Sequence, residues 1–168
     1  GLLARLIASG AADNWITIAA YPDGNTIRPL LKFDGLGGIQ IASGANYIRI
    51  EGLEIQGPNQ EITFDWAHEH RWSKENFYTG RGIYSWGPVH HIAVENCKVH
   101  HTPGSGIRFN KADYILVQGN TVANTTWWST SAESAIVIAT AESIDTQNVV
   151  KFLYTGNVVY NNWNFMEF

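Results

Sequence analysis

Four times along this chain one eight-position phrase returns: apolar, any, apolar, any, Gly or Asn, any, any, apolar. Ile48, Ile50, Gly52 and Ile55 fill it in "YIRIEGLEIQG", and Ile92, Val94, Asn96 and Val99 in "HIAVENCKVHH". Ile115, Val117, Gly119 and Val122 fill it in "YILVQGNTVAN", then Phe152, Tyr154, Gly156 and Val159 in "KFLYTGNVVYN". Two apolar residues separated by one position lie on the same face of a strand. The Gly/Asn column marks a left-handed backbone, which Gly accepts freely and Asn tolerates better than most residues. A second short strand then brings another apolar residue inside. Each copy is therefore strand, tight bend, strand: a corner.

Upstream of each corner lies a further short strand, often opened by Gly, in "GGIQIAS", "GRGIYSW", "GSGIRFN" and "SAIVIAT". Ile39 precedes Ile48 by nine positions, Ile83 precedes Ile92 by nine, and Ile107 precedes Ile115 by eight. In the last copy "AESIDTQNVV" stretches the gap between Ile136 and Phe152. With a coil-to-coil step as short as 24 residues, from Ile83 to Ile107, three short strands per coil describe an all-β solenoid of roughly five to six coils. Its inward columns stack Ile on Ile and Val on Val. A β-sandwich also has short strands at regular spacing, but it gives no reason for one Gly/Asn column at the same phase in four copies. "WITIAAYPDG" and "IRPLLKF" form a less regular starting coil, and the apolar stretch Leu2 to Ile7 allows a short opening helix.

The chain, residues 1–168, is expected to be one domain, since its length supports one sizeable core. An apolar content of 45% with 15% charged residues suits a folded chain. The net charge of -4, with no basic stripe, argues against nucleic acid. It leaves acidic polysaccharide open, because a local basic patch can outweigh the global sign. The single cysteine, Cys97, can form no intrachain disulfide and is expected as a buried thiol beside its corner. No apolar run is long enough for a membrane span. "GLLARLIASG" lacks the basic start and full apolar core of a signal peptide, so a chain beginning at Gly1 is expected to be a mature form or a fragment.

The corner phrase, the "SGAADNWITIAAYPDG" opening and the "YIRIEGLEIQG" coil resemble the right-handed parallel β-helix proteins of the pectate-lyase-like superfamily. Within it, the opening is similar to chondroitinase B-like and alginate-lyase-like members and to bacterial β-helix repeat proteins. The resemblance implies the fold, a single-stranded right-handed parallel β-helix, and a polysaccharide groove. It is specific for fold and poor for reaction, because the matching positions are core and corner residues.

Where the third strand of a coil returns to the first, the loops vary: a 57–81 inserted loop, then 100–105, then 123–134. Stacked coils place these loops along one edge, and long loops of a solenoid gather on its binding side. All six histidines fall between residues 68 and 101, and Trp66, Trp72, Trp127 and Trp128 join them. Aromatic faces stack on sugar rings, and imidazoles bond hydroxyls. His68, His70, Trp72, Trp86, Trp127, Trp128 and Glu133 are therefore the candidate substrate-binding residues. The competing reading is that these aromatics pack the loops onto the flank of the helix. "HEH" with Asp65 is a weak metal motif, since histidines two apart do not share a helical face, and no metal site is expected.

Alternation turns Gln40, Tyr84, Arg108 and Val137 outward on the first strands, with Trp86 and Lys111 just beyond. The resemblance implies β-elimination from a uronic acid, in which a cation neutralises the carboxylate and a base takes the C5 proton. It assigns Arg108 or Lys111 to these tasks, with Tyr84 or His101 as proton relay; the competing reading is a solvated Arg and Lys. The aspartate motifs of polygalacturonase-like hydrolysis do not occur. No dense aspartate set holds calcium, although calcium stays open as a cofactor. Two functions follow: a polysaccharide lyase on a uronate-containing glycan, or a non-catalytic glycan-binding or structural module. Either is expected to be secreted or at the cell surface, with an acidic polysaccharide as partner. A chain ending directly after a corner phrase is expected to stack end to end with a copy or to lack flanking coils.

Overall fold

The computed structural model describes residues 1–21, 27–72, 79–131 and 133–166. Within them the chain winds five times, three strands to a turn. The first coil holds β1 (Leu2–Leu6), β2 (Ile16–Ala19) and β3 (Leu30–Lys32), and the second β4 (Gly37–Ile41), β5 (Ile48–Glu51) and β6 (Glu54–Gln56). The third holds β7 (Arg81–Ser85), β8 (Val89–Glu95) and β9 (Lys98–His100). The fourth holds β10 (Ile107–Phe109), β11 (Ala112–Gln118) and β12 (Thr121–Ala123), and the fifth β13 (Ile136–Ile138), β14 (Phe152–Thr155) and β15 (Val158–Tyr160). Like strands pair with like in parallel register, giving three five-stranded sheets. The architecture is a right-handed parallel β-helix, the hand that connections between parallel strands almost always take.

The repeat phrase sets the register. Ile48, Ile92, Ile115 and Phe152 form one column and Ile50, Val94, Val117 and Tyr154 the next. In the three middle coils these columns are buried, together with Ile55, Val99 and Val122 of the third sheet. Burying each such side chain contributes about 1.5–3 kcal/mol, so the core is a continuous apolar rod. Gly52, Asn96, Gly119 and Gly156 have φ of 68°, 52°, 66° and 63°. They stack, the N–H of each donating to the carbonyl just before the next corner: Gly52 to Glu95, Asn96 to Gln118, Gly119 to Thr155. Left-handed backbone is costly for residues with a Cβ, hence Gly or Asn in every copy.

Two further devices close the bends. Asn120, fully buried beside the Gly119 corner, accepts from the Cys97 N–H at 2.9 Å and donates to the Val94 carbonyl at 2.9 Å. Asn157 repeats the pattern one coil on, donating to Val117 O and accepting from the Asn120 N–H. One coil before Asn120, Cys97 holds the same inward position as a buried thiol, whose pKa burial pushes up to about 11. At the entry to the second strands, Tyr47, His91 and Tyr114 also take left-handed φ. Their rings stack at 4.5 and 4.4 Å.

The opening residues are a strand, not a helix. Ala4 and Leu6 alternate inward and pair with Ile39 and Ile41, so their spacing of two serves the sheet. The 57–81 loop carries a 3-10 turn (Asn59–Glu61) and a helix α1 (Phe64–His70) capped by the Thr63 hydroxyl. The buried Asn59 amide fastens the loop to the coils above it, donating to Thr102 O at 3.0 Å and Asn124 O at 2.8 Å. Ala67 of α1 packs with Trp128 and Met166, flanked by Ile62, Trp66 and Trp127, so the 57–81 and 123–134 loops meet along one edge. Residues 73–78 of the inserted loop, and "PDG" of the opening phrase, lie outside the described residues.

Candidate functional site

The outer face of the first sheet carries the register Arg5, Gln40, Tyr84, Arg108, Val137, so the four residues expected to face outward do share one column. Arg81 joins them for a different reason. A Cβ on Gly82 would overlap the Val99 side chain in the core, so Gly82 and Ile83 both face inward. The pleat is interrupted where the strand opens, and Arg81 is left on the outer face. Ser105 lies beside it on the next coil, its carbonyl accepting from the Gly82 N–H.

Glu133, at the end of the 123–134 loop, brings these residues together. Its carboxylate accepts from Arg81 Nη2 on one oxygen, and from Ser105 Oγ and Arg108 Nη1 on the other, the last at 3.1 Å. Arg108 Nε reaches Asn110 Oδ1 at 3.2 Å. The Glu133 side chain is fully buried and Arg81 is nine-tenths buried. Two guanidinium groups thus face one carboxylate, leaving a net positive charge out of water. Burial pulls the Arg81 pKa down and Glu133 pulls it back; a guanidinium stays charged throughout. Its Nε has no hydrogen-bond partner among the described residues.

Beside the cluster lies a cavity of about 420 Å³, lined by Arg81, Tyr84, Trp86, Gln40, Thr79 and Ser131, with Leu2 and Leu36 at its margin. The Trp86 ring covers Arg81 at 4.3 Å from ring centroid to guanidinium carbon, a cation–π contact, while half of Trp86 remains exposed. Tyr84 stands edge-on to Trp86 at 5.8 Å and is almost fully buried, although its strand position faces outward. Burial raises its phenol above the ordinary value, with Arg81 and Arg5 pulling the other way. The absence of a side chain at Gly37 makes room, since a Cβ there would stand 2.5 Å from Tyr84 Cε1.

Of the residues singled out by sequence, Tyr84, Trp86, Arg108 and Glu133 meet at this cluster and its cavity. The others lie elsewhere. Lys111 is largely exposed, 4.0 Å from Glu142, and lines a separate cavity of about 150 Å³ with Asn46 and His90. His101 sits at the corner after β9, its Nδ1 2.6 Å from that of His100 and its Nε2 3.3 Å from Asn124 Nδ2. Trp128 is buried in the small core against α1, and Trp127 packs edge-on between Trp128 and Phe165. His70 stacks on Trp66 at 4.2 Å; His68 stacks on Phe64 and meets Arg71. Most of these aromatics therefore pack the loops onto the flank, and Trp72 remains exposed beside Arg71. Arg81 and Ser105 escaped sequence reasoning. The one signal for them is the repeated "GRG" and "GSG" ahead of the first strands.

Among the described residues no group of three or more His, Cys, Asp and Glu is placed to hold a metal ion. No helix among the described residues is long and apolar enough to cross a membrane. Fold and site together define a parallel β-helix protein with a cationic, aromatic-flanked cavity on its first sheet. Comparison with protein-family models, with curated proteins and with solved structures finds no match.

Proposed function

We propose that this chain is a carbohydrate-binding β-helix protein of the pectate-lyase-like kind, which engages a carboxylate-bearing polysaccharide on the outer face of its first sheet. One observation carries the reading: Arg81, which shares the Glu133 carboxylate with Arg108, lines a cavity of about 420 Å³ together with the half-exposed Trp86. A uronate residue needs a cation for its carboxylate and an aromatic face for its ring, and planar guanidinium groups suit carboxylates best. The volume suits a bound sugar. Because such a polysaccharide lies outside the cell, the protein acts as a secreted or surface component.

A second reading, polysaccharide lyase, is favoured by Tyr84 lying in the same cavity as Arg81. In it the arginines neutralise the uronate carboxylate and the phenolate removes the C5 proton. The electron pair forms the C4–C5 double bond, and the glycosidic oxygen departs from C4 and takes up a proton. Burial of the phenol makes phenolate scarce at neutral pH, so turnover by this route rises into the alkaline range. The test is incubation with alginate, pectate and chondroitin, following retention in affinity electrophoresis and absorbance of the unsaturated uronate. Retention without absorbance supports the binding module. Absorbance that vanishes in Tyr84→Phe supports the lyase. Neither signal on any acidic glycan refutes both.

A further inference from the structure

We propose that Glu133 is the protein's own occupant of a carboxylate subsite formed by Arg81, Arg108 and Ser105, and that an acidic ligand binds there by displacing it. This inference rests on the proposed function and adds its regulation. The groups about Glu133 are those that would receive a uronate carboxylate or a sulfate: two guanidinium groups on the first sheet and a hydroxyl just ahead of β10. Glu133 itself is not part of that sheet. It lies in sequence between Trp128 in the small core and the buried Ala135 at the start of the next coil. On the near side, Ser129 is held by Ser131 and by the Asn164 amide.

The subsite is not saturated by its occupant. Two positive charges meet one negative charge, and Arg81 Nε is buried without a partner among the described residues. Ser131, from the same stretch as Glu133, lines the adjacent cavity. Displacing the Glu133 carboxylate would therefore free the arginines, and Arg81 already faces the cavity in which a sugar ring would lie beside Trp86. A tethered carboxylate competes at an effective concentration on the order of millimolar, and a ligand's apparent affinity falls by the fraction of time its site is free. A latch closed about nine-tenths of the time weakens binding about tenfold.

The test titrates oligogalacturonate into wild-type protein and Glu133→Gln by calorimetry, and follows amide exchange of 129–135 in the wild type. The expected result is about tenfold tighter binding by the variant and lost protection of those amides when the wild type is saturated. Equal affinities with unchanged protection overturn the latch while leaving the proposed function standing. If neither protein binds oligogalacturonate, alginate or chondroitin, the proposed function fails. The subsite is then judged by sulfate against chloride at matched ionic strength. Melting of Glu133→Gln raised selectively by sulfate supports it, and equal response of the two proteins overturns it. Should the variant fail to fold, exchange in the wild type decides: unchanged protection at saturation overturns the latch.

Discussion

Truncating Asn120 to Ala tests how the bends are held. The side chain is fully buried, and its amide satisfies two backbone groups inside the rod, the Cys97 N–H and the Val94 carbonyl. Alanine leaves both without partners. A buried donor or acceptor left unsatisfied costs about 1–3 kcal/mol, so the expected loss is about 4 kcal/mol, a large part of a domain's usual 5–15 kcal/mol. For a chain of this length that lowers the Tm by about 8–16 °C. Asn157→Ala supplies the control. It removes the partners of Val117 O and of the Asn120 N–H, the same two kinds of group, but Asn157 is only partly buried and water can replace its bonds; a loss of about 1 kcal/mol is expected. Circular dichroism and tryptophan fluorescence melts, run together, check that each variant unfolds in one transition, since solenoids can unravel piecewise. Asn120→Ala within 1 kcal/mol of wild type, or equal losses for the two variants, would refute the reasoning.

Three other perturbations probe different parts of the structure. Gly82→Ala places a Cβ against Val99 and 2.5 Å from the Gly106 carbonyl; a loss of about 2 kcal/mol is expected, and urea unfolding at wild-type stability would contradict the inward placement that leaves Arg81 outside. Burial holds His90, His91, His100 and His101 below the ordinary histidine pKa, and each adjacent pair shares a single Nδ1···Nδ1 contact. The unfolded chain then takes up protons first, so stability is complete above about pH 6.5 and is lost as pH falls through the lowered folded values; a Tm that does not fall from about pH 7 to 5.5 would count against it. Trp86→Ala removes a half-exposed ring, so glycan binding weakens about tenfold, by roughly 1–2 kcal/mol of stacking and cation–π contact, while the melting temperature changes little. An unchanged affinity by calorimetry would place the sugar elsewhere.

The corner was legible because one residue type is forced there. Gly52, Asn96, Gly119 and Gly156 are constrained by backbone sterics, which act on each residue singly and leave a mark at fixed spacing. The asparagines just after the last two corners carry no such mark, since an Asn following Gly looks like turn composition until the Cys97 N–H and Val94 carbonyl are seen to need it. Alternation placed Tyr84 and Arg108 outward correctly because β7 and β10 are regular there. It misplaces Arg81, which by parity shares the inward side with Ile83, because the pleat breaks at Gly82. The loop aromatics show a different limit. A tryptophan offered to a sugar and one packed on a helix have the same composition and neighbours in sequence, and only Ala67 and Met166 closing over Trp128 separate the two. Likewise the chemistry of Glu133 could be named from sequence, but its two arginine partners lie 52 and 25 residues away.

The central claim is that the first-sheet cluster recognises the carboxylate of a sugar polymer, and it is tested most directly by removing that carboxylate from the ligand. Polygalacturonate and its carboxyl-reduced counterpart share a backbone and differ only at C6, a carboxylate in one and a hydroxymethyl group in the other. Calorimetric titration of both into wild-type protein and into Arg108→Ala should give binding of the acidic polymer by the wild type, weakening with added salt, none of the reduced polymer, and a loss of at least about tenfold on removing the arginine. Equal binding of the two polymers, or a response indifferent to Arg108, would contradict the account.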